Sequence, residues 1–196
     1  AFLASCTLFL LVNNIWPLIF GLPVLLFLLS YSYAKRFTAF CHFWLGLALA
    51  LSPLGAWVAI RGMAWPESPI PLMLTGAVFF WVSGFDMLYA CQDEDFDKSK
   101  GLFSIPAKIG IRNTLRVAFV CHLVMLGFLL GFYWLASPPL GEIYLAGVGF
   151  VSCLVVYQHA LVNEKDLSKV NQAFFNVNAV ISVGLMLIVL LQLYLV

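Results

Sequence analysis

An all-α, polytopic transmembrane helical bundle is the fold class this sequence predicts, on three observations. Of its 196 residues 63% are hydrophobic and 10% charged, against about 25% charged in a soluble domain. The mean hydropathy is +1.01. The apolar residues fall into runs long enough to cross a bilayer as helices, which takes about 20 residues, and turn residues separate the runs.

Seven segments follow in order. The first, Ala1 to Val12, is short. The second runs from Trp16 to about Tyr33, the third from Phe40 to Ile60 and the fourth from Ile70 to Cys91. The fifth covers Thr114 to Leu135, the sixth Ile143 to Leu161 and the seventh Ala173 to Val196. Asn13-Asn14, Gly62 to Pro71, Ser137-Pro138-Pro139 and Asn163 to Asp166 punctuate them. No soluble linker or clear repeat interrupts the series, so residues 1–196 are expected to form one domain. The chain starts on Ala1, and no basic stretch or small-residue cleavage site precedes the first run. The expectation is a chain without a secretory signal peptide that lacks its true N-terminus.

The distribution of charge sets a topology. Lys35 and Arg36 follow the second segment. Lys98, Lys100, Lys108, Arg112 and Arg116 follow the fourth, and Lys165 and Lys169 the sixth. The alternate loops hold only Arg61. By the positive-inside rule the basic side is cytoplasmic. The expected location is a bacterial inner membrane, with membrane lipid as one partner and no nucleic-acid partner.

Asp86-Met-Leu-Tyr-Ala-Cys-Gln-Asp-Glu-Asp-Phe-Asp97 lies on that side and holds five of the nine acidic residues. Carboxylates are costly at a membrane helix and mark a site by default. On one continuous helix Asp86, Tyr89, Asp93 and Asp97 fall at roughly 0°, −60°, −20° and +20°, a single stripe from which Glu94 and Asp95 point away. Carboxylates on one face repel unless a cation lies between them. Hard oxygen ligands suit Mg²⁺, which completes its shell with substrate phosphates. Nearby Lys35, Arg36, Lys98, Lys100, Lys108 and Arg112 suit the remaining charge of a metal-bound diphosphate, and a diphosphate at this depth would carry a lipid tail.

The other candidate groups are expected to be structural. Cys6, Cys41, Cys91, Cys121 and Cys153 lie in or beside apolar runs without ligand spacing, as small buried hydrophobes without disulfides. His42, His122 and His159 make no metal motif; His42 is close enough to Lys35 and Arg36 to touch a substrate, but helix-end packing is expected.

Four stretches resemble the UbiA-type polyprenyltransferases, closest to the 4-hydroxybenzoate polyprenyltransferase branch. Tyr31-Ser-Tyr-Ala-Lys-Arg-Phe-Thr38 is similar to the family's Y-x-x-x-K-R-[FY]-T element, and Leu45 to Trp57 to the helix after it. Asp86 to Asp97, continued by Gly101-Leu-Phe-Ser-Ile-Pro106, is similar to the second Asp-rich motif. Val170 to Asn178 resembles a stretch of a menaquinone-linked subgroup. The resemblance implies transfer of a polyprenyl chain from polyprenyl diphosphate to an aromatic acid such as 4-hydroxybenzoate, in ubiquinone or menaquinone biosynthesis. It implies that Asp93 and Asp97 hold Mg²⁺, that Asp86 and Tyr89 line the same pocket, that Lys35 and Arg36 lie near the diphosphate, and that Lys98, Gly101 and Ser104 belong to the loop that caps it. Gly101 would also supply backbone freedom and Ser104 a helix cap. Tyr89, Trp81 and Phe85 could face an allylic cation, although lipid-facing packing is the ordinary expectation for Trp81 and Phe85.

The family has nine spans and a first N-D-x-x-D motif. This sequence has seven segments and no such motif, so the chain by itself is expected to be inactive. Two other classes use membrane carboxylates. A cation-coupled secondary transporter places its site nearer the midplane on broken helices. A CDP-alcohol phosphotransferase needs a D-G-x-x-A-R element, and here Met-Leu-Tyr-Ala-Cys follows Asp86.

Overall fold

A computed structural model describes residues 2–63, 69–136 and 140–195. Within them α1 (Phe2–Leu8) runs on into a 3₁₀ turn (Phe9–Val12). It is followed by α2 (Trp16–Ala34), α3 (Cys41–Arg61), α4 (Ile70–Ala90), a 3₁₀ turn (Cys91–Asp93), α5 (Glu94–Lys100), α6 (Ile105–Ile109), α7 (Ile111–Leu135), α8 (Glu142–Leu161), a π-helical segment (Gln172–Val177) and α9 (Asn178–Leu195). Six stretches are long and apolar enough to cross a membrane, and Phe2–Val12 is a shorter apolar helix. The expected segments therefore reappear, with ends moved by a few residues. The Ser137-Pro138-Pro139 turn and part of the Gly62 to Pro71 loop lie outside the described residues.

Helix α4 is the axle of the bundle: α3 packs on one side of it and α7 on the other, α2 lies against α3, and α8 against α7 and α9. Apolar helices gain little from burial against one another in lipid, so close contact depends on small residues. Two glycines supply it. A methyl group on Gly46 of α3 would run into Ser83 and lie 2.7 Å from the Phe79 carbonyl oxygen on α4. One on Gly84 of α4 would lie 2.5 Å from His122 Nε2 and 3.1 Å from the Ala118 carbonyl oxygen on α7. The core between α4, α7, α8 and α9 holds Met125, Leu129, Tyr144, Val148, Val151 and Ile181.

The π segment frees carbonyl groups that an α-helix would use. Side chains meet two of them: Gln158 Nε2 donates to the Ala173 oxygen at 3.0 Å and Asn178 Nδ2 to the Phe174 oxygen at 2.7 Å. This accounts for two buried amides in apolar surroundings.

One sequence expectation fails here. The stretch 86–97 is not one continuous helix. Asp93 is the N-cap residue of a new helix, with φ −96° and ψ 4°, and Glu94, Asp95 and Asp97 occupy that helix's first turn, where its dipole favours acids. Gly101, at φ +65°, ends it in the left-handed conformation that glycine adopts at least cost.

Candidate active site

Three connections converge at one end of the bundle. The Phe103 N–H donates to the Lys35 oxygen at 2.7 Å, which fixes the loop before α6 against the end of α2. Cys41 Sγ lies 3.6 Å from the Phe103 oxygen. Tyr89 and Leu115 pack on Val162 and Val170 of the α8–α9 connection. All but one of the basic residues thus belong to connections, or adjoining helix ends, that meet at this end.

Asp97 is buried, with its side chain 1% exposed, whereas Asp93 is 47% exposed. A buried carboxylate needs a cation or several donors. Lys35 Nζ provides them, 3.1 and 3.3 Å from the two Asp97 oxygens and 3.6 Å from Asp93 Oδ2. Burial by itself would lower the Lys35 pKa. The hydrogen bond and charge of Asp97, then the charge of Asp93, outweigh it and hold the ammonium above its ordinary value.

Asp86 is held apart from this group. Its Oδ2 lies 2.7 Å from Nδ1 of His42, which is fully buried at the start of α3. Among the described residues no three His, Cys, Asp or Glu side chains cluster as a ready metal site. The single acidic stripe therefore resolves into two sets, Asp93 and Asp97 on Lys35, and Asp86 on His42. The physical reason is the 3₁₀ turn at Cys91–Asp93, which winds three residues per turn and shifts the phase of everything after it.

Two other expected members stand off. Arg36 is exposed and lies over the Tyr33 ring, 5.4 Å from its centroid. Lys98 is exposed and pairs with Glu94 at 2.7 Å. Gly101 is the exposed end of α5. Ser104 is buried and accepts the Ala107 N–H as the N-cap of α6.

An aromatic wall leads away from the acids. Trp81 and Phe85 have centroids 5.7 Å apart, Phe85 and Phe174 5.2 Å, and Phe174 and Tyr89 4.4 Å. Trp81 Nε1 donates to Asn178 Oδ1 at 3.0 Å. Trp81 and Phe85 line a cavity of about 470 Å³ between α3, α4 and the start of α9. They do not merely face lipid as expected. The signal was available: Trp81, Phe85 and Tyr89 recur every four residues, on one helix face.

Two of the histidines and one cysteine depart from expectation. His122 Nδ1 and His159 Nε2 lie 2.8 Å apart, joining α7 to α8. Four cysteines are buried and free, whereas Cys153 is free but exposed on α8.

The sequence pattern of the UbiA prenyltransferase family matches residues 1–180. The chain belongs to the UbiA prenyltransferase family. It is 31% identical over 162 residues to a 4-hydroxybenzoate octaprenyltransferase of Nitrosospira multiformis, covering 81% of this chain and 53% of that protein. It is 32% identical over 160 residues to the mitochondrial 4-hydroxybenzoate polyprenyltransferase of Arabidopsis thaliana, covering 79% of this chain and 36% of that one. A solved apo structure of a UbiA homolog from Aeropyrum pernix K1 superposes with a TM-score of 0.81 at 26% identity, over 97% of this chain and 68% of that one. The chain thus spans little more than half the length of the bacterial relative. UbiA membership and six apolar helices make it an integral membrane protein, all-α and polytopic.

Proposed function

We propose that the whole protein transfers a polyprenyl chain from polyprenyl diphosphate to an aromatic acid such as 4-hydroxybenzoate, a step of quinone biosynthesis. The observation that carries this reading is the Lys35 ammonium set between Asp93 and Asp97, at the end of α4 from which the aromatic wall leads to the cavity. A cation already sits among these carboxylates, and all their donors are hard oxygens, so they fit Mg²⁺ shared with substrate phosphates. Asp93 and Asp97 would hold it, and its charge would ease departure of diphosphate.

The chain's own residues do the rest. Lys35 binds the diphosphate oxygens. Tyr89, Phe85 and Trp81 present ring faces to the positive charge that develops on the prenyl carbon and keep water from it. The apolar cavity takes the tail. Asp86 faces the acceptor from its fixed place on His42. By the positive-inside rule this end faces the cytoplasm, with the bundle in a bacterial inner membrane. Residues 1–196 then form one transmembrane domain that carries the second Asp-rich motif. Nothing in the family match favours a cation-coupled transporter.

The test is direct. Membranes holding the full-length protein are given 4-hydroxybenzoate, a long-chain polyprenyl diphosphate and Mg²⁺. The expected outcome is a prenylated acid and released diphosphate, both lost with chelator. Cation-linked flux in liposomes, with no prenylated product from any aromatic acceptor, would sink the reading.

A further inference from the structure

His42 is the second residue of α3 and is 1% exposed. Both ring nitrogens are used. The Ile105 N–H donates to Nε2 at 3.4 Å, and Nδ1 faces Asp86 Oδ2 at 2.7 Å. An imidazole that accepts at Nε2 carries its proton on Nδ1. The Nδ1–H therefore donates to Asp86 and holds one oxygen of its carboxyl group. The other oxygen has no hydrogen-bond partner among the described residues and is left for a substrate.

The donor to Nε2 is the first residue of α6, directly after the loop from α5. That loop touches the site a second time, through the Phe103 N–H on the Lys35 oxygen. One short segment thus reaches the backbone of the diphosphate-binding lysine directly and the Asp86 carboxylate through an imidazole. Packing does not require this. A leucine would fill a buried place at lower cost, because a polar ring is costly to bury unless its nitrogens are bonded.

We propose that His42 is a positioning residue: it ties the Asp86 carboxylate to the seated 101–105 loop, so that the acid is aimed only when the loop is in place. This rests on the prenyl-transfer reading above.

The experiment compares wild type, His42→Leu and His42→Asn in the full-length protein. An asparagine amide can keep the donor toward Asp86 but cannot reach Ile105. His42→Leu should lower kcat by roughly 10- to 100-fold, the usual effect of removing a residue that orients a functional group, while KM for the polyprenyl diphosphate stays within about twofold. His42→Asn should keep most of that loss, because it retains the donor to Asp86 but breaks the tie to Ile105. Loss confined to KM, recovery of most of the rate in His42→Asn, or a leucine variant as fast as wild type would overturn the proposal. A second readout needs no turnover. Nitrogen-15 spectra of histidine-labelled protein, with the His42 signal identified by its absence in His42→Asn, should show the proton on Nδ1 and a shift in Asp86→Asn. A proton on Nε2 would also overturn it. An inactive wild type would count against prenyl transfer, while the nitrogen spectrum would still decide the Asp86–His42–Ile105 connection.

Discussion

Helix α4 carries two polar clusters of opposite character. At its end, Lys35 with Asp93 and Asp97, and His42 with Asp86, form two neighbouring polar groups drawn from the end of α2, from α3, from α4 and from the turn into α5, and Asp93 is left half exposed. Midway along α7, behind Gly84, His122 and His159 form a closed pair, and His122 Nε2 has no hydrogen-bond partner. The first cluster has a half-exposed carboxylate, a cation and, through Tyr89, Phe174 and Phe85, a run of ring contacts toward the cavity. The second has no carboxylate, and His122 is fully buried. Burial alone does not mark a site; charged groups with unspent bonding capacity do.

Four measurements sharpen or break that contrast. The largest effect should come from Asp97→Asn, which keeps the shape and removes the charge. Prenyl transfer in membranes should fall by about 100-fold or more, the scale of losing one preorganised electrostatic contact. Glu94→Ala breaks only a pair with exposed Lys98 and should change the rate by less than about twofold. Equal losses would erase the distinction between an acid paired with an exposed lysine and the acids held on Lys35.

Lys35→Met should come next. It removes a diphosphate contact, and KM for the prenyl substrate should rise by about tenfold, equal to roughly 1.4 kcal/mol. It also gives a pH test. The Lys35 pKa is raised in the fold above 10.5. Its contribution to stability is therefore fully present below about pH 10.5 and is lost as pH rises through the raised value. The melting-temperature gap between wild type and Lys35→Met, in metal-free detergent, should be constant from pH 7 to pH 10 and shrink above that. A gap that widens with alkali would contradict the pairing.

Gly84→Ala probes the closed cluster. The added methyl meets the His122 ring and the Ala118 carbonyl, and such overpacking costs about 1–3 kcal/mol. Thermal melting should fall by several degrees, while kcat of the folded fraction stays at the wild-type value. A selective loss of kcat would mean that the histidine pair belongs to the chemistry.

Trp81→Phe should have the smallest effect. It deletes the hydrogen bond to Asn178, worth about 1 kcal/mol, and keeps an aromatic face on the cavity. Little change in rate is expected, whereas Trp81→Ala should slow transfer more. Equal effects of the two would remove the ring face from the argument.

The membrane spans were legible because lipid imposes one rule, a run of about 20 apolar residues with its backbone bonded internally. Asp93, Asp97 and Lys35 were legible because charge at a membrane helix end is expensive. The break at Cys91–Asp93 was not, since the acids at 86, 93 and 97 fit one continuous helix as well as two. The His42–Asp86 pair was missed because it joins residues 44 positions apart. A partly buried acid on α4 nevertheless implied a donor on a neighbouring helix, and His42 was a titratable candidate on α3. The inward aim of Trp81 and Phe85 was legible only from spacing, since with Tyr89 they recur every four residues on one helix face; with 18 Phe and 6 Trp in the chain, composition does not separate ring faces that line a cavity from those that meet lipid.

The π segment before α9 fixes a count as well as a shape. A π turn absorbs one residue more than an α turn, so winding the same residues as α-helix would rotate everything downstream by about 100°. Ile181, now fully buried, would swing out toward lipid, and exposed Val180 would turn inward. The amides of Gln158 and Asn178 would lose the carbonyls they serve. The spacing between Val170 and Asn178 is therefore held like a gear tooth: side chains there can be exchanged, but closing the wide turn without removing a residue would put the last helix out of step with the rest of the bundle.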